Sequence, residues 1–295
     1  MGKIKIIPPL HNIMVAKLFE NMGSAPSALS LINAVLTDAG RVPLDKITGL
    51  RCEETLPGAS FKGRSCRLDV IAEANGKRIN VEVQRESCPD MVDRSFFHAC
   101  AIMHPAIEKS QDFKELPRLT MINLLDFKPL RSSHPDFHQP VSLMYVKGKP
   151  ETASDVLYMH NIELRKFRKI KYDKENPLHR WLHFLVKGYA TINEIETKEM
   201  IKMDRGLQAF AEKYNLSLQD PLIQDKYTHH RLAELDYQTN INTAHEKGAE
   251  KAKIATAEKM ILKNKPLAEI IEFSELTEKK IRQLAKKLSK EIVLK

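Results

Sequence analysis

Two carboxylates in one short stretch could do chemistry together. Between residues 65 and 84 the chain reads SCRLDVIAEANGKRINVEVQ, alternating apolar and polar side chains on either side of Asn75–Gly76. Asn-Gly between alternating runs is the strongest short-range hairpin signal, because both central residues of a type I′ turn need positive φ. With those two as the turn, facing residues carry numbers that sum to 151, so Asp69 faces Glu82 and Arg67 faces Gln84. Side chains alternate along a strand, which puts Arg67, Asp69, Glu82 and Gln84 on one face. The other face carries Leu68, Val70, Ala72, Ile79, Val81 and Val83 and must meet the core. A one-residue slip would turn that face outward, so the register is specified. Opposed carboxylates repel, and something cationic should sit between them. Arg67 is one candidate. A divalent metal is the other, since Mg2+ is held by one or two carboxylates with water and phosphate oxygens.

Rival chemistries are weaker. His179 and His183 have metal-ligand spacing on an expected helix, but HRWLH lacks the glutamate of HExxH, and a helix face beside Trp181 explains them as well. His229–His230 has no companion ligands and reads as surface. No GxSxG elbow and no GxxxxGK[ST] loop occurs, which removes the usual sequence signs of an α/β-hydrolase and of a P-loop ATPase. Cys52, Cys66, Cys88 and Cys100 form no CxxC pair and are expected to be reduced, mostly buried thiols.

Several elements must position the hairpin. Residues 12–38 have helical spacing, with a break at Gly23–Pro26. Residues 90–103 read as a helix with Met91, Phe97, Cys100 and Ala101 inward. Apolar runs at 119–127, 141–146 and 156–164 read as strands. Residues 176–189 read as a helix opened by Pro177, with Trp181, Leu182 and Leu185 buried. From Ala244 onward the chain is helical and basic, interrupted near Lys265–Pro266. The alternation of helices and strands points to an α/β or α+β core with a helical tail.

Composition sets the outer limits. At 295 residues and 42% hydrophobic, the chain can fill a sizeable core, and wholesale disorder is excluded. No run approaches the roughly 18 apolar residues of a membrane helix, and MGKIKIIPPL lacks the apolar centre of a signal peptide. The expected location is cytoplasmic, with no membrane partner. The net charge of +9 suggests a polyanion, and residues 243–295 hold thirteen Lys/Arg against eight Asp/Glu. Within that tail, residues 266–289 resemble a small helix-turn-helix with Thr277 as N-cap. Its second helix would lay Lys279, Lys280, Arg282 and Lys286 against DNA; the alternative is a solvated helix pair that dimerises or packs on the core.

Asp69 followed by Glu82-Val83-Gln84 on the next strand resembles the PD-(D/E)XK nuclease signature, with Gln84 where the motif places lysine. The flanking text is similar to one branch, the Rpn-type recombination-promoting nucleases, also called PD-(D/E)XK family transposases. The matching segments are KLFEN at 17–21, SLINAVL at 30–36, DRSFFHA at 93–99, IELRKF at 162–167, RWLHFL at 180–185 and LAEIIEFSELTEKKIRQL at 267–284. The resemblance implies a restriction-endonuclease-like α/β core, a mixed sheet flanked by helices, over residues 1–240. A basic helical tail would follow at 241–295. It implies Mg2+-dependent hydrolysis of DNA phosphodiesters in support of recombination, Mn2+ being a substitute metal. Asp69, Glu82 and the Val83 carbonyl would hold the ion, and Gln84 would orient water or touch phosphate. Arg67, Arg94, Lys279, Lys280 and Arg282 would contact DNA, and a homodimer is compatible. Two departures stand out. Asn12 occupies a position where the branch usually has an acidic residue, and His98 one where it tends to have tyrosine. Asn12 and Gln84 leave a second reading, a catalytically impaired DNA-binding relic; His98 reads as a phosphate contact or as a helix-surface histidine.

Overall fold

The computed structural model describes residues 4–56, 66–85, 90–109, 112, 114, 116–127, 134–149 and 151–293. The chain opens with α1 (Asn12–Leu18), a short 3-10 turn at Met22–Ser24, and α2 (Ala25–Asp38). The break thus falls at residues 19–24, earlier than Gly23–Pro26, because Pro26 fits the first turn of α2, where its missing N–H costs nothing. Strand β1 (Gly49–Leu56) follows, then the hairpin of β2 (Cys66–Ala74) and β3 (Lys77–Gln84). Its turn residues have φ of 50° at Asn75 and 70° at Gly76, the left-handed values that the Asn-Gly pair supplies cheaply. Helix α3 (Met91–Lys109) carries the chain to β4 (Arg118–Leu125). Next come β5 (His138–Met144) and β6 (Thr152–Glu163), which pair antiparallel.

These strands form one six-stranded mixed sheet in the order β1-β2-β3-β4-β6-β5. β3, β4 and β6 run parallel, and the outer pairings are antiparallel. The β2–β3 ladder runs from Val70↔Val81 to Ala74↔Lys77, the register expected from the Asn-Gly turn. Edge strand β5 contains Pro140 and loses regular register around Ser142–Met144, while Val141, Leu143 and Met144 stay exposed.

Val70, Ala72, Ile79 and Val81 face the main core, against residues such as Val35 of α2 and Trp181 of α5 (Pro177–His183). The opposite face is also covered, because Ile71, Met121 and Met159 pack on Ala99 and Ile102 of α3. The inward set expected on α3 is corrected here. Met91 is buried, but Phe97 is exposed, as is Cys100. The residues turned to the sheet are Ser95, His98, Ala99 and Ile102. The strand face beneath them carries Asn80 and Glu82, so polar groups are drawn inward and the phenylalanines outward. Of the described thiols neither is buried, Cys100 being exposed and Cys52 half-buried, against the expectation for both; the side chains of Cys66 and Cys88 lie outside the described residues.

The short helix α4 (Leu164–Phe167) leads to α5, which Asn176 caps by accepting from the N–H groups of Leu178 and His179. A π-helical turn at Phe184–Gly188 extends it. α6 (Ile195–Lys202) and α7 (Arg205–Gln219) complete the packing, with Trp181, Phe210 and Tyr214 essentially unexposed. α2 and α7 approach closely at Gly206, where a Cβ would lie 2.3 Å from Ser30 Cβ.

Two compact units result, Met1–Tyr227 and Thr228–Lys295, and their boundary falls within α8 (Pro221–Leu262). In the second unit the end of α8 contributes Ala257 and Ile261 to a small core. α9 (Leu267–Ser274) and α10 (Glu278–Lys287) complete it with Leu267, Ile270, Ile281 and Leu284. Glu275 turns the chain with a left-handed φ of 51°, and Thr277 caps α10 by accepting from Lys280 N–H. Among the described residues, no helix is long and apolar enough to cross a membrane.

Candidate metal and nucleic-acid site

β3 alternates Asn80, Glu82 and Gln84 on the face away from the main core, so its period sends them toward α3 and the mouth beside it. Glu82 is 5% exposed. Its Oε1 accepts a hydrogen bond from Asn80 Nδ2 at 2.8 Å, and His98 Nδ1 of α3 lies 3.5 Å away. A buried carboxylate is costly unless charge and hydrogen bonds compensate it, and here an amide and an imidazole stand against one oxygen. His98, 5% exposed, is therefore a buried neighbour of Glu82 and not a helix-surface histidine.

Asp69 sits one residue beyond the β2–β3 ladder. Its Oδ2 accepts from the backbone N–H of Val83 at 2.7 Å. The carboxylate thus continues the hairpin with a side chain in place of a strand pair, and it lies beside the peptide that follows Glu82. A cavity of about 160 Å³ collects Asn12, Asp69, Glu82, Val83, Gln84 and Arg94. Asn12 arrives as the first residue of α1, and Arg94 from the opening turns of α3.

The hairpin thus brings Asp69, Glu82, Val83 and Gln84 together with Arg94. The side chain of Arg67 lies outside the described residues. Lys279, Lys280 and Arg282 belong to α10 in the second unit. Arg282 pairs with Glu278 at 2.6 Å, and Lys280 lies 3.7 Å from Glu250. Exposed pairs of this kind are weak and screened, so they do not keep the cations from a phosphate.

Asp69 and Glu82 bring two carboxylates, hard oxygen donors, to a cavity that Val83 and Asn12 also line. That is the chemistry a magnesium-class ion requires, and the burial of Glu82 gives a cation something to neutralise. The residues fit such an ion. His179 and His183 are otherwise engaged: Asp173 N–H donates to His179 Nδ1 at 3.1 Å, and the His183 ring lies 4.5 Å from Tyr172.

Residue spacing alone did not single out Asn80 or Ser95. Asn80 had a usable signal, because it precedes Glu82 by one strand period and shares its face. Asn123, opposite Glu82 in the parallel ladder, extends this buried polar row by donating to Asn161 Oδ1 at 2.8 Å. Ser95 and His98, three residues apart on α3, close it from above.

A family model described as PD-(D/E)XK nuclease family transposase matches residues 16–244. No curated protein and no solved structure gives a match.

Proposed function

Because the chain belongs to the PD-(D/E)XK nuclease family transposases, whose activity is of nuclease type, we propose that it is a metal-dependent DNA endonuclease. Its reaction is hydrolysis of phosphodiester bonds in support of recombination. The observation that carries this reading is the gathering of the Asp69 and Glu82 carboxylates, Val83, Gln84 and Arg94 around one cavity. Asp69, Glu82 and the Val83 carbonyl would hold Mg2+, with Mn2+ as a substitute. The bound ion would polarise the scissile phosphate and make hydroxide available near neutral pH.

The chain's own residues do the rest. Asn80 and the Val83 N–H fix the two carboxylates before substrate arrives. Gln84 can donate to a phosphate oxygen and accept from a water, but it brings no charge and is no general base. Arg94 supplies a cation at the same cavity and can pair with the DNA backbone. The second unit, with Lys279, Lys280 and Arg282 on α10, adds phosphate contacts that raise affinity without reading sequence.

Asn12 supports a second reading. It lines the cavity with a neutral amide where a further carboxylate would strengthen cation binding, as in a DNA-binding relic. Supercoiled-plasmid cleavage in Mg2+, Mn2+ or EDTA, with wild type beside Asp69→Ala, separates the two. The nuclease reading expects metal-dependent nicking that falls at least about a thousandfold in the variant. Salt-sensitive DNA binding without cleavage by wild type would leave the relic.

A further inference from the structure

The opposite ends of the parallel strands hold a second cavity, of about 290 Å³, that the nuclease reaction does not use. Lys77 and Ile79 of β3, Thr120 of β4, and Tyr158 and His160 of β6 line it, together with Arg41 from the loop after α2. Behind it runs a buried relay. Asp38, the last residue of α2, lies 2.6 Å from His138 Nδ1 through its Oδ2, and its Oδ1 accepts from Asn176 at 2.9 Å. His138 Nε2 lies 3.1 Å from His160 Nδ1. The relay stops there, because His160 is 1% exposed and its Nε2 has no hydrogen-bond partner.

A carboxylate accepts only, so His138 Nδ1 carries the proton facing Asp38. With His138 neutral, the chain of donors leaves His160 Nε2 as a bare acceptor; with His138 charged, the same atom is an N–H donor. A hydroxyl satisfies it in both cases, because it donates and accepts. Burial, with the charges of His138 and Arg41, holds the His160 pKa down to about 4, so its ring adds no cation near neutrality. Positive charge comes instead from Arg41 and Lys77. The Arg41 guanidinium sits 3.6 Å over the Tyr158 ring, which fixes it at the cavity. Among the described residues lining the cavity there is no carboxylate.

We infer that this cavity binds a small hydroxylated phosphate ester, its phosphate on Arg41 and Lys77 and a hydroxyl on His160 Nε2. The volume suits a sugar-phosphate-sized molecule, near the lower end of ligand pockets, and leaves a lone phosphate loosely held. The site stands independently of the nuclease reading, since it shares no residue with the carboxylate cavity.

The test titrates the full chain in EDTA near pH 7.5, where phosphate esters are dianions, with ribose 5-phosphate, methyl phosphate and ribose. Calorimetry gives the affinities, and the ring ¹⁵N resonances of His160, assigned with His160→Phe, report the place. Ribose 5-phosphate should bind at least about tenfold tighter than either fragment and should move the His160 signals. His160→Phe should erase its advantage over methyl phosphate. Arg41→Ala with Lys77→Ala, both at exposed positions, should weaken both phosphates by about tenfold or more. Equal affinity for ribose 5-phosphate and methyl phosphate would overturn the proposal. So would binding that survives the double variant, or no binding by ~10 mM ligand.

Discussion

Asp69 and Glu82 sit on neighbouring strands yet are held by different means, one by a peptide N–H and the other by a neighbouring amide. Their pairing was legible because three local signals agreed: the Asn-Gly turn, the alternation, and one apolar strand face. What the residue pattern concealed was the support. Asn80, Ser95 and His98 are polar, and polar residues in a pattern default to solvent unless something buried demands them. Glu82 is that demand. A second residue-scale consequence concerns pH. Burial lowers the pKa of His160 to about 4, whereas an unfolded histidine titrates near 6.5. Between those values the unfolded chain binds a proton that the native ring refuses. Stability should therefore fall as pH drops from about 6.5 toward 4, by up to about 1.4 kcal/mol per pH unit from this group. His179 and His183, also lowered by burial, act in the same direction. The informative measurement is denaturant unfolding across that range for wild type and His160→Phe, where the variant should show the shallower slope.

At the scale of elements, the strands β4, β5 and β6 and the helices α2, α5 and α9 lie close to where periodicity predicts them. β1 was not foreseen, since Arg51, Glu53 and Glu54 interrupt its alternation and its order comes from pairing with β2. α7 was also passed over, although Asp204 before Leu207, Phe210, Ala211 and Tyr214 is a capped amphipathic helix. Asp204 accepts from the N–H groups of Gly206 and Leu207 and from Ser30 Oγ, which in turn accepts from Trp181 Nε1 at 2.9 Å. Around this knot α2 and α7 meet with no room for a methyl group, because a Cβ on Gly206 would lie 2.7 Å from the Pro26 carbonyl oxygen. Gly206→Ala should destabilise the protein by about 1–3 kcal/mol, read as a lower midpoint in thermal or urea unfolding. The misread face of α3 follows from the same packing logic. Phe97 and Cys100 looked like core, but the sheet face opposite offers a carboxylate to be solvated by side chains.

For the molecule as a whole, the charge of +9 is the feature a polyanion meets first. Affinity for duplex DNA should fall steeply with salt, since each phosphate contact releases counterions. Replacing Lys279, Lys280 and Arg282 together by alanine should flatten the plot of log affinity against log salt, with a slope smaller by about two to three. Fluorescence anisotropy over a salt series checks it, and an unchanged slope would mean that α10 is not at the DNA. Family membership over residues 16–244 sets the expectation of DNA as substrate, and the tail lies beyond that match. In that tail Leu267, Ile270, Ile281 and Leu284 form the small core, while Ile271 is exposed. A last consequence comes from the sheet's outer strand. β5 shows solvent a row of apolar side chains, which in an open, regular strand would invite a neighbouring copy to add itself and the next to follow. Pro140 removes one N–H from that template, and the irregular register beyond Ser142 breaks its repeat. Fibrillar growth therefore has no straight edge there to copy, and the molecule can leave those side chains bare without becoming the seed of its own precipitate.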